Sequence, residues 1–296
     1  MRVFITGATG FIGSAIIPEL IRDGHQVLGL ARSDAAAKAL VAMHAQVHRG
    51  SLEDLESLRS GAAASDGVIH CAFNHDFSQY QTNCESDRRV IEAIGSVLVG
   101  SDRPFVVSAG VGVSAPGRAA TENDACLPSS MLPRSASEEA ALSLVQRGVR
   151  ASVMRLPQVH NLDMQGLITL LIVIAREKRV SAYVGDGANR WPAAHRLDVA
   201  QLYKLALEKG TAGARYHAIA EEGVPLRQIA EVIGRRLKLP IVSKSPEEAA
   251  EHFGWMTLMV GRDGLASSAI TQERLGWRPV QPGLIADLER AHNLEI

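Results

Sequence analysis

Three observations predict an α/β protein built on a doubly wound parallel sheet, with a smaller C-terminal α/β portion. Short β-branched apolar runs alternate with stretches of helical spacing through the first half of the chain. The connections between them are short. A glycine-rich loop joins the first strand to the first helix. Strand–helix alternation of this kind implies βαβ units with helices on both faces of the sheet. Right-handed crossovers then wind the sheet both ways from its first strand.

The elements follow in order. Arg2–Thr6 reads as a strand. Phe11–Arg22 has helical spacing, with Ile12, Ile16, Leu20 and Ile21 on one side. Gln26–Ala31 is a strand, Asp34–His44 an Ala-rich helix, Gln46–His48 a short strand and Leu52–Arg59 a helical turn or two. Gly67–Cys71 and Pro104–Ser108 are buried-strand runs. The stretch between them, Asp76 to Gly100, reads as one long helix. Ala109–Pro133 has no period, and a long irregular stretch in a compact domain is usually functional or mobile. A helix over Ser135–Arg147 and a strand over Arg150–Arg155 restore the pattern. Helices then follow at Met164–Glu177, Asp198–Lys209 and Leu226–Leu237, with strands near Val180–Val184, Arg215–Ala218 and Ile241–Ser243. The division expected is one domain over 1–157 and a smaller portion over 158–296, interleaved with it and packed over the C-terminal edge of its sheet.

Composition excludes several classes. The 296 residues carry 31 basic and 32 acidic side chains, a net charge of −1. A phosphate-neutralising nucleic-acid binder needs a Lys/Arg excess that is missing here. No apolar run approaches the ~18 residues that span a bilayer, and the opening residues lack signal-peptide anatomy. The expected setting is therefore cytoplasmic. Cys71, Cys84 and Cys126 are scattered and form no CxxC pair. That predicts neither a disulfide framework nor a metal site, and no histidine spacing argues otherwise.

Thr6-Gly7-Ala8-Thr9-Gly10-Phe11-Ile12-Gly13 carries the chemistry. Gly7 allows the tight strand-to-helix turn, Gly10 clears the approach of a pyrophosphate, and Gly13 lets helix and strand pack closely. The helix start offers N–H groups and the positive end of its dipole to an anion. The expected ligand is a pyridine dinucleotide, held by Gly7, Thr9, Gly10, Phe11, Ile12 and Gly13. At the end of the second strand stand Arg32 and Ser33, where a NAD site usually places an acid. A guanidinium suits a 2′-phosphate, so NADP(H) is expected ahead of NAD. Asp34 can cap the next helix or turn toward the ribose.

With these residues in view, the chain resembles the extended and atypical short-chain dehydrogenase/reductases, a Rossmann-type family. Thr6–Gly13 is similar to its TGxxGxxG loop. Gly50-Ser51-Leu52 falls where the family places a pair beside adenine, which implies cofactor contacts for Ser51 and Leu52. Val68–Ala72 resembles its fourth strand, whose end (Cys71, Ala72, Phe73) would line the cofactor. Arg155-Leu156-Pro157 resembles its Arg-x-Pro segment, implying that Pro157 lies on the nicotinamide side. His195–Ala200 and Leu275–Pro279 resemble two later segments.

One departure matters. The family's Tyr-x-x-x-Lys pair is absent; Arg134 falls in the Tyr slot and Glu138 in the Lys slot. At i, i+4 the two can pair with each other as a surface ion pair. The family's serine position aligns with Gly110, leaving Ser108, and less directly Ser114, to bond a reacting oxygen. An Arg keeps its protons but can stabilise an oxyanion. Ser108 and Arg134 are thus the catalytic candidates, with Ser108 also a cofactor contact. Trp191, His160 and His195 are candidates for substrate, although His195 suits a structural bond ahead of a helix capped by Asp198. His70 reads as a satisfied core histidine.

The reading favoured is an NADP(H)-dependent oxidoreductase acting on a small carbonyl or related substrate. A dinucleotide-binding sensor without chemistry and an epimerase or dehydratase using bound NAD stay open. The partner expected is a small molecule, with no nucleic acid or membrane. The resemblance implies a homodimer through the helices near Asp76–Gly100 and Ser135–Arg147.

Overall fold

The computed structural model describes residues 1–111 and 117–294. Seven parallel strands form the central sheet. In chain order the elements are β1 (Arg2–Thr6), α1 (Gly13–Arg22), β2 (Gln26–Ala31), α2 (Asp34–Ala42), β3 (Gln46–Arg49), α3 (Leu55–Ala63), β4 (Gly67–His70), α4 (Tyr80–Ser96), β5 (Pro104–Gly110), α5 (Ser135–Gln146) and β6 (Arg150–Leu156). There follow β7 (Gln158–His160), α6 (Ile168–Lys178), β8 (Ser181–Val184), β9 (Arg190–His195), α7 (Arg196–Lys209) and β10 (Arg215–His217). The strand order is β10-β6-β5-β4-β1-β2-β3, so the chain winds outward from β1 in both directions.

Alternation along the strands builds two cores. Val3, Ile5, Val27, Ile69, Val106 and Met154 face α1, α2 and α7. Phe4, Leu28, Val68, Phe105, Val107 and Val153 face α3, α4 and α5. Because successive side chains of a strand point to opposite faces, one short apolar run feeds both layers.

The C-terminal residues add β11 (Glu221–Pro225), α8 (Leu226–Leu237), β12 (Ile241–Lys244), α9 (Pro246–Phe253), α10 (Thr257–Val260), α11 (Ala269–Leu275) and α12 (Leu284–Leu288). A three-stranded sheet β11-β9-β7 and a two-stranded sheet β12-β8 organise a third core around Trp191, Ile229 and Phe253. α7 and β10 lie beyond residue 158 yet belong to the central sheet and its covering layer.

Element boundaries differ from the sequence reading where a cap decides them. Asp54 accepts from the Ser57 N–H, which starts α3 at Leu55 rather than Leu52. The long helix expected from Asp76 begins as a 3-10 turn capped by Asp76, and α4 ends at Ser96. His195, not Asp198, caps α7; Asp198 is buried within the first turn, where it accepts from the Val280 and Gln281 N–H groups. The described part of the aperiodic segment from residue 117 is tied down as well. Ala120 bridges Ala266, Arg155 donates to the Asp124 carbonyl, and Glu122 accepts from Thr271.

Candidate active site

Gly7 has φ of +68°, and a Cβ there would stand 2.7 Å from the Ala72 nitrogen. A Cβ on Gly13 would stand 2.2 Å from the Gly7 carbonyl oxygen. The loop therefore lies pressed between the ends of β1 and β4 and the start of α1, which only glycine allows at these two points. Thr9 and Gly10 are exposed. No side chain caps α1, so its first N–H groups and dipole face the open side of the loop. That uncapped, side-chain-free cradle fits a dinucleotide diphosphate. Arg196, at the start of α7, stacks its guanidinium 5.1 Å from the Phe11 ring centroid, which brings a positive charge to the loop.

At the end of β2, Arg32 is exposed. Ser33 caps α2 by accepting from the Ala36 N–H. Asp34 does not cap the helix; it pairs with Arg49 at 2.6 Å on the surface. Ser51 accepts from the Glu53 N–H, and Leu52 packs under the sheet. The Cys71 thiol donates to the Thr6 carbonyl, and burial pushes it up to about 12. Pro157 follows β6 directly.

The Tyr slot holds the most developed polar arrangement. Arg134 stands at the start of α5. One guanidinium nitrogen donates to Asp87 at 3.1 Å and also to Ser137; the other donates to the Ser108 carbonyl at 3.1 Å. Its plane lies 4.3 Å from the centroid of Phe73. Asp87, buried on α4, also accepts from Ser137 and pairs with His70 Nε2 at 2.8 Å. His70 Nδ1 in turn meets Thr6 Oγ1 at 2.7 Å. The chain Thr6–His70–Asp87–Arg134 thus links the end of the glycine-loop strand to the slot. Burial pushes the Asp87 carboxyl up, but His70, Arg134 and Ser137 outweigh it and hold it below the usual range. Among the described residues, a Cβ placed on Gly110 would have only the Arg134 Cγ within reach, at 3.9 Å. The space of the missing serine therefore opens onto Arg134.

Two sequence candidates take other roles. The Ser108 hydroxyl donates to the His70 carbonyl at 2.7 Å and bonds Tyr203 at 2.6 Å, inside the α7 layer. Its backbone carbonyl accepts from Arg134. Glu138 does not pair with Arg134 on the surface. It is 1% exposed and receives Arg155 on both oxygens, at 2.7 and 2.8 Å, and Arg215 at 2.6 Å. Ser114 lies outside the described residues.

His160 and His195 come together on one carboxylate: His160 Nδ1 is 2.7 Å and His195 Nε2 3.8 Å from Asp287. His195 Nδ1 accepts from the Leu197 N–H. Trp191 is buried in the C-terminal core and donates to the Met259 carbonyl. These bonds place all three in the packing of the C-terminal portion. Among the described residues, no group of three His, Cys, Asp or Glu could hold a metal ion. No helix among them is long and apolar enough to cross a membrane.

Sequence reasoning missed Asp87, Ser137, Arg196 and an aromatic set around the slot. Phe77 stacks on Trp255 at 4.6 Å, and Tyr80 meets Phe77 at 5.8 Å. Asp87 did leave a signal. It lies on the stripe of Cys84, Ile91 and Ile94, where a carboxylate needs a partner.

The pattern of the NAD dependent epimerase/dehydratase family matches residues 3–220. The chain belongs to this family. An uncharacterized protein of Schizosaccharomyces pombe is 49% identical over 97% of this chain and 98% of its own. A 4-hydroxy-2-methyl-3-oxo-4-farnesyl-3,4-dihydroquinoline-1-oxide ketoreductase of Stigmatella aurantiaca is 27% identical over 88% of this chain and 82% of its own. The crystal structure of DesIV, a dTDP-glucose 4,6-dehydratase from Streptomyces venezuelae with NAD and TYD bound, superposes with a TM-score of 0.78. It covers 99% of this chain and 96% of its own at 18% identity, a likeness of fold. A Rossmann-type sheet of the kind this family uses to bind dinucleotides follows from membership.

Proposed function

We propose that the chain is an NADP(H)-dependent oxidoreductase that reduces a small, partly apolar carbonyl compound, using Arg134 where relatives use tyrosine. The observation that carries this reading is the fixed guanidinium at the C-terminal ends of β4 and β5. Ligands of open α/β sheets bind over those ends. A ketoreductase among the relatives supports the reaction class.

The bound nicotinamide would supply the hydride. Gly7–Gly13 and the start of α1 would hold the diphosphate, with Arg196 adding charge. Arg32 and Ser33 would take the 2′-phosphate, and the pairing of Asp34 with Arg49 removes the nearby carboxylate from competition. Arg134 would polarise the carbonyl and stabilise the negative charge that develops on its oxygen. A guanidinium has five donors; among the described residues, its bonds go to Asp87, Ser137 and the Ser108 carbonyl. Asp87 and the Phe73 ring hold it in one orientation, so little reorganisation accompanies reaction. Phe73, Phe77 and Trp255 supply the apolar wall.

The test is loss of nicotinamide absorbance from NADPH with a panel of aldehydes, ketones and activated alkenes. Turnover by the native chain and a fall of about 100-fold or more in Arg134→Met are expected, the size of an oxyanion contact. Tight NADPH binding with no turnover on any class would replace this reading by that of a sensor.

A further inference from the structure

A carbonyl that accepts a hydride becomes an alkoxide and needs a proton. A guanidinium is no proton donor at neutral pH. Among the described residues, and besides the ionised Asp87, four groups with a removable proton lie within the field of the Arg134 guanidinium: His75, Tyr80, Cys84 and Tyr203. Cys84 is fully buried, and burial pushes its thiol up to about 11. His75 is held below its usual range, first by burial and then by Arg134. It is therefore neutral at pH 7, and a neutral imidazole N–H is a poor acid.

Tyr80 is different. It opens α4, is half-buried, and packs edge-on to Phe73 with centroids 6.4 Å apart. Phe73 is the ring on which Arg134 lies. Phenol and guanidinium thus share one aromatic platform. Tyr203 bonds Ser108, Tyr216 accepts from the Thr211 N–H, and Tyr183 lies beside Arg227; the Tyr80 hydroxyl bonds the Cys84 thiol one turn along α4, on the helix face that carries Asp87 to Arg134. We propose that Tyr80 is the proton donor to the carbonyl oxygen, working beside Arg134. This rests on the reductase reading above.

The step balances. A C–H bond forms from the hydride, the C=O π pair moves to oxygen, and the Tyr80 O–H breaks as the new O–H forms. The carbonyl is reduced and the nicotinamide oxidised. The phenolate left behind lies within the field of Arg134 and regains its proton from solvent. Burial and Cys84 push the phenol up, while Arg134 pulls it down. A phenol of that kind is protonated at neutral pH and still far more acidic than an alcohol.

The experiment has two readouts. Phenolate difference absorbance is followed against pH on the chain without cofactor, for the native protein, Tyr80→Phe and Arg134→Met. Tyr80→Phe should lose one ionisation, and Arg134→Met should move that ionisation to higher pH. NADPH oxidation with 4-nitrobenzaldehyde and 1-phenyl-1,2-propanedione is the second. Tyr80→Phe should lower kcat by about 100-fold or more, as loss of a general acid does, with NADPH affinity within about twofold of native. A Tyr80→Phe variant that keeps the native rate, or an ionisation indifferent to Arg134→Met, overturns Tyr80 alone. A native chain that binds NADPH and reduces neither probe nor any panel member overturns the reductase reading, and Tyr80 with it.

Discussion

Arg134 keeps its orientation because Asp87 is charged and cannot reach water. That carboxylate joins His70, Ser137 and Arg134 in a buried cluster. Removing one partner of such a set strands the others, which costs about 3–5 kcal/mol. Asp87→Asn keeps the shape but takes the charge from beside Arg134. We expect its urea midpoint to fall by the equivalent of about 3 kcal/mol, with a lower kcat in the same variant. An unchanged midpoint would show that the cluster is solvated. At this scale the sequence was half legible. Glycines announce their own reason, since Gly7 and Gly13 have no room for a Cβ. Arg134 was found through its slot. Its partner was hidden, because Asp87 is separated from it by 47 residues and is brought near only by the packing of α4 against α5.

The helix α5 shows what a single element conceals. Its extent was readable from spacing, Ser135–Gln146 against an expected Ser135–Arg147. The fate of Glu138 was not. Helical geometry offers Arg134 as its i−4 neighbour, but β6 and β10 present Arg155 and Arg215 to the same carboxylate. One fully buried guanidinium and one partly buried one outcompete a third that is already held by Asp87. Burial pushes Glu138 up, and the two arginines pull it further down, below the usual carboxylate range. A carboxyl depressed in the folded state stabilises fully above its unfolded value, about 4.3, and loses that stability as pH falls through the folded value. Thermal scans between neutral pH and pH 3 should therefore show an acid-side decline that Glu138→Gln makes shallower, from a lower plateau at pH 7. Parallel slopes for the two chains would remove Glu138 from the acid transition.

The molecule as a whole was legible where its contacts are local in sequence. Six of the seven parallel strands follow from alternating runs, since each βαβ unit is closed by neighbours along the chain; β10, read from the sequence as part of the smaller portion, pairs with β6 from a distant stretch of chain. The C-terminal portion was harder. Its three-stranded sheet collects residues 158–160, 190–195 and 221–225, too short for a period to show. The cleft was hardest, for Phe77 and Trp255 meet from opposite ends of the sequence. What unites these scales is the nucleotide. The proposed reduction at Arg134 and Tyr80 needs a dinucleotide lying from the glycine loop across the strand ends, with its extra phosphate on Arg32. Isothermal titration of the native chain and Arg32→Glu with NADPH and NADH tests this most directly. The account predicts that the native chain binds NADPH about tenfold or more tightly than NADH, one charge-assisted contact being worth that much. It also predicts that Arg32→Glu erases the difference. Equal affinities in the native chain, or no heat from either nucleotide at millimolar concentration, would contradict it.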